Sequence, residues 1–265
     1  MTDRLSEVLR DLAAEGDALD ALVAPLTAEQ WGTPTPAEGW TIAHQIAHLA
    51  WTDEVAVLAA TDKHAWDAVV ATALMDPDTY VDEAAADGAA LPPDELLIRW
   101  RAASTRVATM LAERDPEERI DWFGPPMTPT SMATARLMET WAHGHDVADA
   151  LGVEMPLTDR LRHVVHLGVR TRNFAFGVRD LDAPREEFRV ELRGPDDQVW
   201  TFGPEDAEQQ VRGSAYDFCL LVTQRRHRAD LDLEAVGPDA DRWLDIAQAF
   251  AGPPGPGREP QRAEG

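Results

Sequence analysis

Apolar residues recur every three or four positions along most of the first two thirds of the chain, and that period is helical. Leu5, Val8, Leu9, Leu12, Leu19, Leu22 and Val23 form one stripe, ended by Pro25. After a Pro- and Gly-rich loop, "TAEQWGTPTPAEGW", the pattern predicts a second helix from Thr41 through "TIAHQIAHLAWTDEVAVLAAT". A shorter helix follows around "HAWDAVVATALM". "LPPDELLIRWRAASTRVATMLAERD" carries prolines at its start and sets Leu96, Trp100, Ala103, Val107 and Met110 on one stripe. "WFGPPMTPTS" reads as a loop, and the next helix runs from about 130 to 151, with Gly152 as its C-terminal cap. A further helix is expected over about 158–176.

The period then changes. "EEFRVELRG", "QVWTFG" and "EQQVRG" alternate apolar and polar residues between Gly, Pro and Asp, as half-buried strands do. "SAYDFCLLVTQRR" and "DADRWLDIAQAF" return to helical spacing. The expected architecture is mainly α: a four-helix bundle over 1–178 and a small α+β domain over 185–251. The stretch 252–265, "GPPGPGREPQRAEG", lacks apolar anchors and is expected to be disordered.

Composition narrows the functional classes. The 265 residues hold 24 Lys plus Arg against 48 Asp plus Glu, a formal charge of −24. That field repels phosphate backbones and anionic lipid, so neither nucleic acid nor membrane is expected as a partner. The N-terminal stretch "MTDRLSEVLRDLAAEGD" is broken by charges and has no signal-peptide apolar region, so a cytoplasmic location is expected. Cys219 is the one cysteine, so no internal disulfide can form, and its apolar neighbours suit a buried thiol.

The histidines carry the candidate chemistry. His44 and His48 are four apart on the second predicted helix, and Glu139 and His143 are four apart on the helix over 130–151. Residues at i and i+4 share a face, and two such pairs on facing helices can converge on one ion inside a bundle. Imidazole and carboxylate suit zinc, iron or nickel. His145 lies two residues beyond His143, roughly 200° round the helix, and points elsewhere. Asp146 falls on the ligand side, where it could orient an imidazole. A buried Glu139 needs a partner, either a metal or Arg136. Spacing alone leaves hydrogen-bonded core histidines, or plain surface pairs, open beside the metal site. His163, His166, Arg170 and Arg172 could line a pocket or face solvent.

"GWTIAHQIAHLAW" and "RLMETWAHGHDVADALG" resemble the paired signatures of the DinB-like superfamily. The nearest branch is the mycothiol-dependent maleylpyruvate isomerase type. This resemblance implies a helical metal-binding bundle followed by a small α+β domain. It also implies a divalent metal, usually zinc, on the positions matching His48, Glu139 and His143. His44 stands where the family pattern has an acid, and His145 where it has tryptophan. Whether His44 adds a fourth ligand stays open. The family's small-domain arginine aligns with Arg225, or next with Arg226, although Gln224 replaces the preceding glycine.

The expected function is a metal-dependent thiol transferase or isomerase that activates a low-molecular-weight thiol, mycothiol by resemblance, against a small electrophile. Arg225 would engage a substrate carboxylate. A metal-dependent hydrolase and a non-catalytic ligand-binding bundle are the alternatives.

Overall fold

The computed structural model describes residues 2–255 and 257–261. These form two compact units, one ending at Met155 and the other beginning at Pro156.

The first unit contains α1 (Thr2–Val23), α2 (Ala28–Trp31), α3 (Ile42–Thr61), α4 (Lys63–Met75), α5 (Tyr80–Ala89), α6 (Pro93–Ala112) and α7 (Pro129–Leu151). Helices α1, α3, α6 and α7 pack as the bundle. α3 is apolar over most of its circumference, so it becomes the central helix, with Ile42, Ile46, Ala47, Leu49 and Ala50 fully buried. Its lower half packs with Leu19, Val23, Leu96, Trp100 and Val147, and its upper half with Val8, Val107, Leu111 and Met132. The ends of α7 follow local rules: the Thr128 side chain accepts from Ser131 N, Pro129 takes the first helical position, and Gly152 closes the helix at φ 65°.

Two buried polar contacts set α3 against α7. Arg136 Nε donates to Asp53 Oδ1 at 2.7 Å, and its Nη2 donates to Thr52 Oγ1 at 2.6 Å. Gln45 meets His143 further along. Ascending numbers on one helix meet descending numbers on the other, so the pair is antiparallel. α5 was not visible in the hydrophobic pattern. It approaches α3 closely at Gly88, where an added Cβ would lie 2.7 Å from Ala47 Cβ.

The second unit contains α8 (Leu161–Arg170), α9 (Arg172–Gly177), β1 (Arg189–Arg193), β2 (Val199–Phe202), β3 (Gln210–Ser214), α10 (Ala215–Val222), β4 (Leu233–Val236) and α11 (Pro238–Ile246). Its sheet has the order β2-β1-β3-β4, with β1 and β3 parallel and the outer pairs antiparallel. Three of these strands match the predicted segments; β4 is additional. The predicted helix over 158–176 is two helices, broken at Thr171, whose hydroxyl donates to the Leu167 carbonyl. α8 packs on α10 within the second unit. The division between units therefore falls at 155, earlier than the expected 178.

The expected disordered tail, 252–265, lies partly outside the described residues, which omit 256 and 262–265. Its described part forms no helix or strand. No helix among the described residues is long and apolar enough to cross a membrane.

Candidate metal centre

α3 and α7 bring three potential ligands together. One donor atom each from His48, Glu139 and His143 lies within 4.8 Å of the other two. Glu139 Oε2 is 3.2 Å from His143 Nε2 and 3.6 Å from His48 Nε2. The two imidazole rings are 4.5 Å apart. The His48 and His143 side chains are each 11% exposed and that of Glu139 19%, so the cluster is largely buried.

The hydrogen-bond chain behind the site decides where the His143 proton sits. Thr35 Oγ1 donates to the Trp40 carbonyl at 3.0 Å, so its lone pairs must accept from Gln45 Nε2 at 2.8 Å. That orientation aims the Gln45 carbonyl oxygen at His143 Nδ1, 2.5 Å away. A carbonyl oxygen only accepts, so Nδ1 carries the proton. In neutral His143 the lone pair is therefore on Nε2, facing a carboxylate oxygen. Two lone-pair bearers 3.2 Å apart repel unless a positive charge lies between them. Either a second proton or a metal cation meets that demand, and the donor set fits a divalent ion. His48 Nε2 faces the same oxygen, and its Nδ1 is buried with no hydrogen-bond partner among the described residues.

With protons on the facing imidazole nitrogens the carboxylate is also favoured: burial alone pushes the Glu139 carboxyl up, but hydrogen bonds from His143 and His48 and the nearby Arg136 charge outweigh it, holding the group well below the usual carboxylate range. Arg136 itself is bonded to Asp53 rather than to Glu139. Burial raises the Asp53 carboxyl, and the Arg136 guanidinium pulls it back.

Aromatic rings wall the site. Trp40 stacks over His143, with centroids 6.0 Å apart and planes inclined by 20°, and lies 5.4 Å from His48. Its indole Nε1 donates to Asp82 of α5 at 2.9 Å. Trp51 meets His48 on one side and Tyr80 edge-on on the other.

The remaining candidates divide. His44 is outside the cluster: Thr41 N–H donates to its Nδ1 at 3.3 Å and the Thr41 hydroxyl lies 2.8 Å away, so this nitrogen belongs to the start of α3. Burial lowers its ionisation against the opposing pull of Asp82. His145 is also outside the cluster, as its angle round α7 predicted, and meets Trp141 edge-on at 4.4 Å. Gln45 Oε1 accepts from the Nδ1 of His143. The sequence reading missed this glutamine, although it sits three residues before His48 on the same helix side. Cys219 is fully buried, and burial pushes its thiol well up. Arg225 follows α10, where its Nη1 donates to the Thr223 carbonyl at 2.7 Å. Gln224 has φ 57°, the left-handed region that favours glycine, which agrees with the glycine of the resembling motif at that position.

Comparison with known proteins adds the family. The model of the mycothiol maleylpyruvate isomerase N-terminal domain matches residues 12–148, just over half of the chain. The chain belongs to this family. A second family model, described as wyosine base formation, matches residues 184–235. Two proteins described as uncharacterized, from two strains of Mycobacterium tuberculosis, are each 59% identical over 248 residues, covering 94% of this chain and 96% of theirs. The crystal structure of the mycothiol-dependent maleylpyruvate isomerase superposes with a TM-score of 0.58 at 17% identity, covering 89% of this chain and 95% of that one. A histidine-to-alanine mutant of that isomerase gives the same TM-score at 18% identity, with coverage of 83% and 89%. At those identities the likeness is one of fold: a DinB-like helical bundle with a small α+β unit.

Proposed function

We propose that this protein is a metal-dependent thiol transferase or isomerase acting on a small electrophile with a low-molecular-weight thiol, mycothiol, as cosubstrate. The observation that carries the reading is one Glu139 oxygen faced by two imidazole Nε2 atoms, with the His143 proton committed to Gln45. His48, Glu139 and His143 would hold a divalent ion, zinc in first place. Bound there, the ion supplies a Lewis-acid position that favours thiolate over thiol at neutral pH. Three protein donors are the usual number at catalytic zinc sites, where a further position is left for a guest.

The protein's own residues prepare that chemistry. Gln45 keeps the His143 Nε2 lone pair aimed into the cluster. Glu139 is held anionic. Trp40 and Trp51 cover the imidazole faces and exclude water from them. Isomerisation fits a thiol cosubstrate because it balances without any other reactant. Sulfur adds to one carbon of a conjugated cis double bond, and the π pair moves toward the conjugated carbonyl. Rotation follows about the new single bond, and return of the pair expels the sulfur.

The named relatives supply mycothiol and maleylpyruvate as the leading thiol and substrate. Arg225 is proposed as the arginine that engages a substrate carboxylate, on the strength of the motif resemblance and the left-handed Gln224 before it. Arg226 is its near alternative.

The test is elemental analysis of the purified protein, followed by turnover of maleylpyruvate with and without mycothiol. An equimolar divalent ion is expected, lost on His48→Ala and kept on His145→Ala. Turnover should require thiol, and Arg225→Ala should raise KM more than it lowers kcat. Ion retained in His48→Ala, or ester hydrolysis without thiol in place of isomerisation, would overturn the reading.

A further inference from the structure

A cavity of about 450 Å³ lies in the second unit, lined only by residues of that unit. Its size falls in the range of small-molecule sites. The floor is apolar. Val190 of β1 and Phe202 of β2 are register partners, so they stand on one face of the sheet. Phe188 and Trp243 meet edge-on at 5.8 Å and extend that floor. Trp243 is 1% exposed, and its indole Nε1 has no hydrogen-bond partner among the described residues.

The rim carries charge. The break at Thr171 places Arg170 and Arg172 beside the cavity. Arg172 is spent on structure: it donates to the Glu186 and Pro184 carbonyls, and its guanidinium lies over the Phe188 ring at 4.3 Å. Arg170 is exposed and has no hydrogen-bond or ion-pair partner among the described residues. A guanidinium without a partner, above an aromatic floor, suits a planar acid bound through its carboxylate. Glu187 also lines the rim, and its charge works against a dianion such as phosphate.

We propose that this cavity binds a small organic monocarboxylate with a flat apolar body. The carboxylate sits on Arg170, and the body lies against Phe188, Phe202 and Trp243. The proposal does not depend on the metal centre or on the reaction assigned to it.

Calorimetric titration of the full chain with benzoate, benzyl alcohol and inorganic phosphate tests it. Benzoate should bind in equimolar amount, and both other probes should bind more weakly, one lacking the charge and the other the apolar body. Arg170→Gln, at an exposed position where the fold is retained, should weaken benzoate roughly tenfold or more, the scale of one charge-assisted contact. The Trp243 indole N–H resonance should shift on benzoate addition, and His143→Ala should leave that binding unchanged. Benzoate affinity unaltered by Arg170→Gln, tighter binding of phosphate, loss of binding in His143→Ala, or no binding at millimolar benzoate would each overturn the proposal.

Discussion

Gln45→Leu separates an ion-binding cluster from a merely hydrogen-bonded core. The side chain is fully buried and makes two contacts: it accepts from His143 Nδ1 at 2.5 Å and donates to Thr35 Oγ1 at 2.8 Å. Leucine of similar volume removes both. The orphaned Nδ1–H costs about 1–3 kcal/mol, since a buried donor loses its acceptor. The added apolar burial returns about 1 kcal/mol. Net stability should therefore fall by at most about 2 kcal/mol, because the Thr35 hydroxyl is half-buried and can turn to water.

Metal affinity should fall further than that modest loss suggests. With Nδ1 unheld, His143 can place its proton on Nε2, the atom that faces Glu139. Loss of the group that orients a ligating imidazole weakens binding about 10–100-fold, or about 1.4–2.7 kcal/mol. Competition against a chromophoric chelator measures the first quantity, and urea denaturation of the metal-free protein measures the second. Gln45→Glu is the control. A carboxylate still accepts from Nδ1–H, so affinity should stay at or above the wild-type value although the Thr35 contact is lost. If the leucine variant binds metal as the parent does, or the glutamate variant falls as far as the leucine one, the tautomer argument is wrong.

Further outcomes test two buried groups, one in each unit. Arg136→Met leaves Asp53, 5% exposed, without its ion-pair partner, and should cost about 3–5 kcal/mol by denaturant unfolding at neutral pH; adding Asp53→Leu should recover most of that loss. Cys219 should resist alkylation in the folded protein at pH 8 and react fully once unfolded, as read by mass spectrometry. Burial lifts its thiol above the unfolded value of 9.0, so folded Cys219 holds its proton where unfolded Cys219 releases it; stability should fall as pH rises above 9, and Cys219→Ala should flatten that fall.

The convergence of the cluster was legible in part: helical spacing paired Glu139 with His143 and left His44 and His48 both open, and the family resemblance singled out His48. Glu139 and His143 share a face of α7, His145 does not, and the structure separates them accordingly. Gln45 was illegible for a physical reason. His44 and Gln45 flank His48 at i−4 and i−3, and both offsets reach the same side of a helix. What separates them is the competition at the start of α3, where Thr41 takes the nitrogen of His44 and leaves the inner position to Gln45. That choice depends on the residue at which the helix begins, the least readable feature of a hydrophobic pattern.

The boundary at 155 follows a similar logic. Leu161, Val164, Val165 and Gly168 give α8 a one-sided apolar face that fits a bundle as well as a sheet-and-helix layer. Periodicity tells which side of a helix must be covered, and says nothing about which partner covers it. Here the partner is α10, more than forty residues downstream, and Gly168 marks the contact: an added Cβ would lie 2.9 Å from both Phe218 and Val222. The same packing carries α8 and its trailing arginines to the sheet. Arg170 and Arg172, equivocal as residues of an isolated helix, thereby become the charged rim of a cavity floored by Val190 and Phe202.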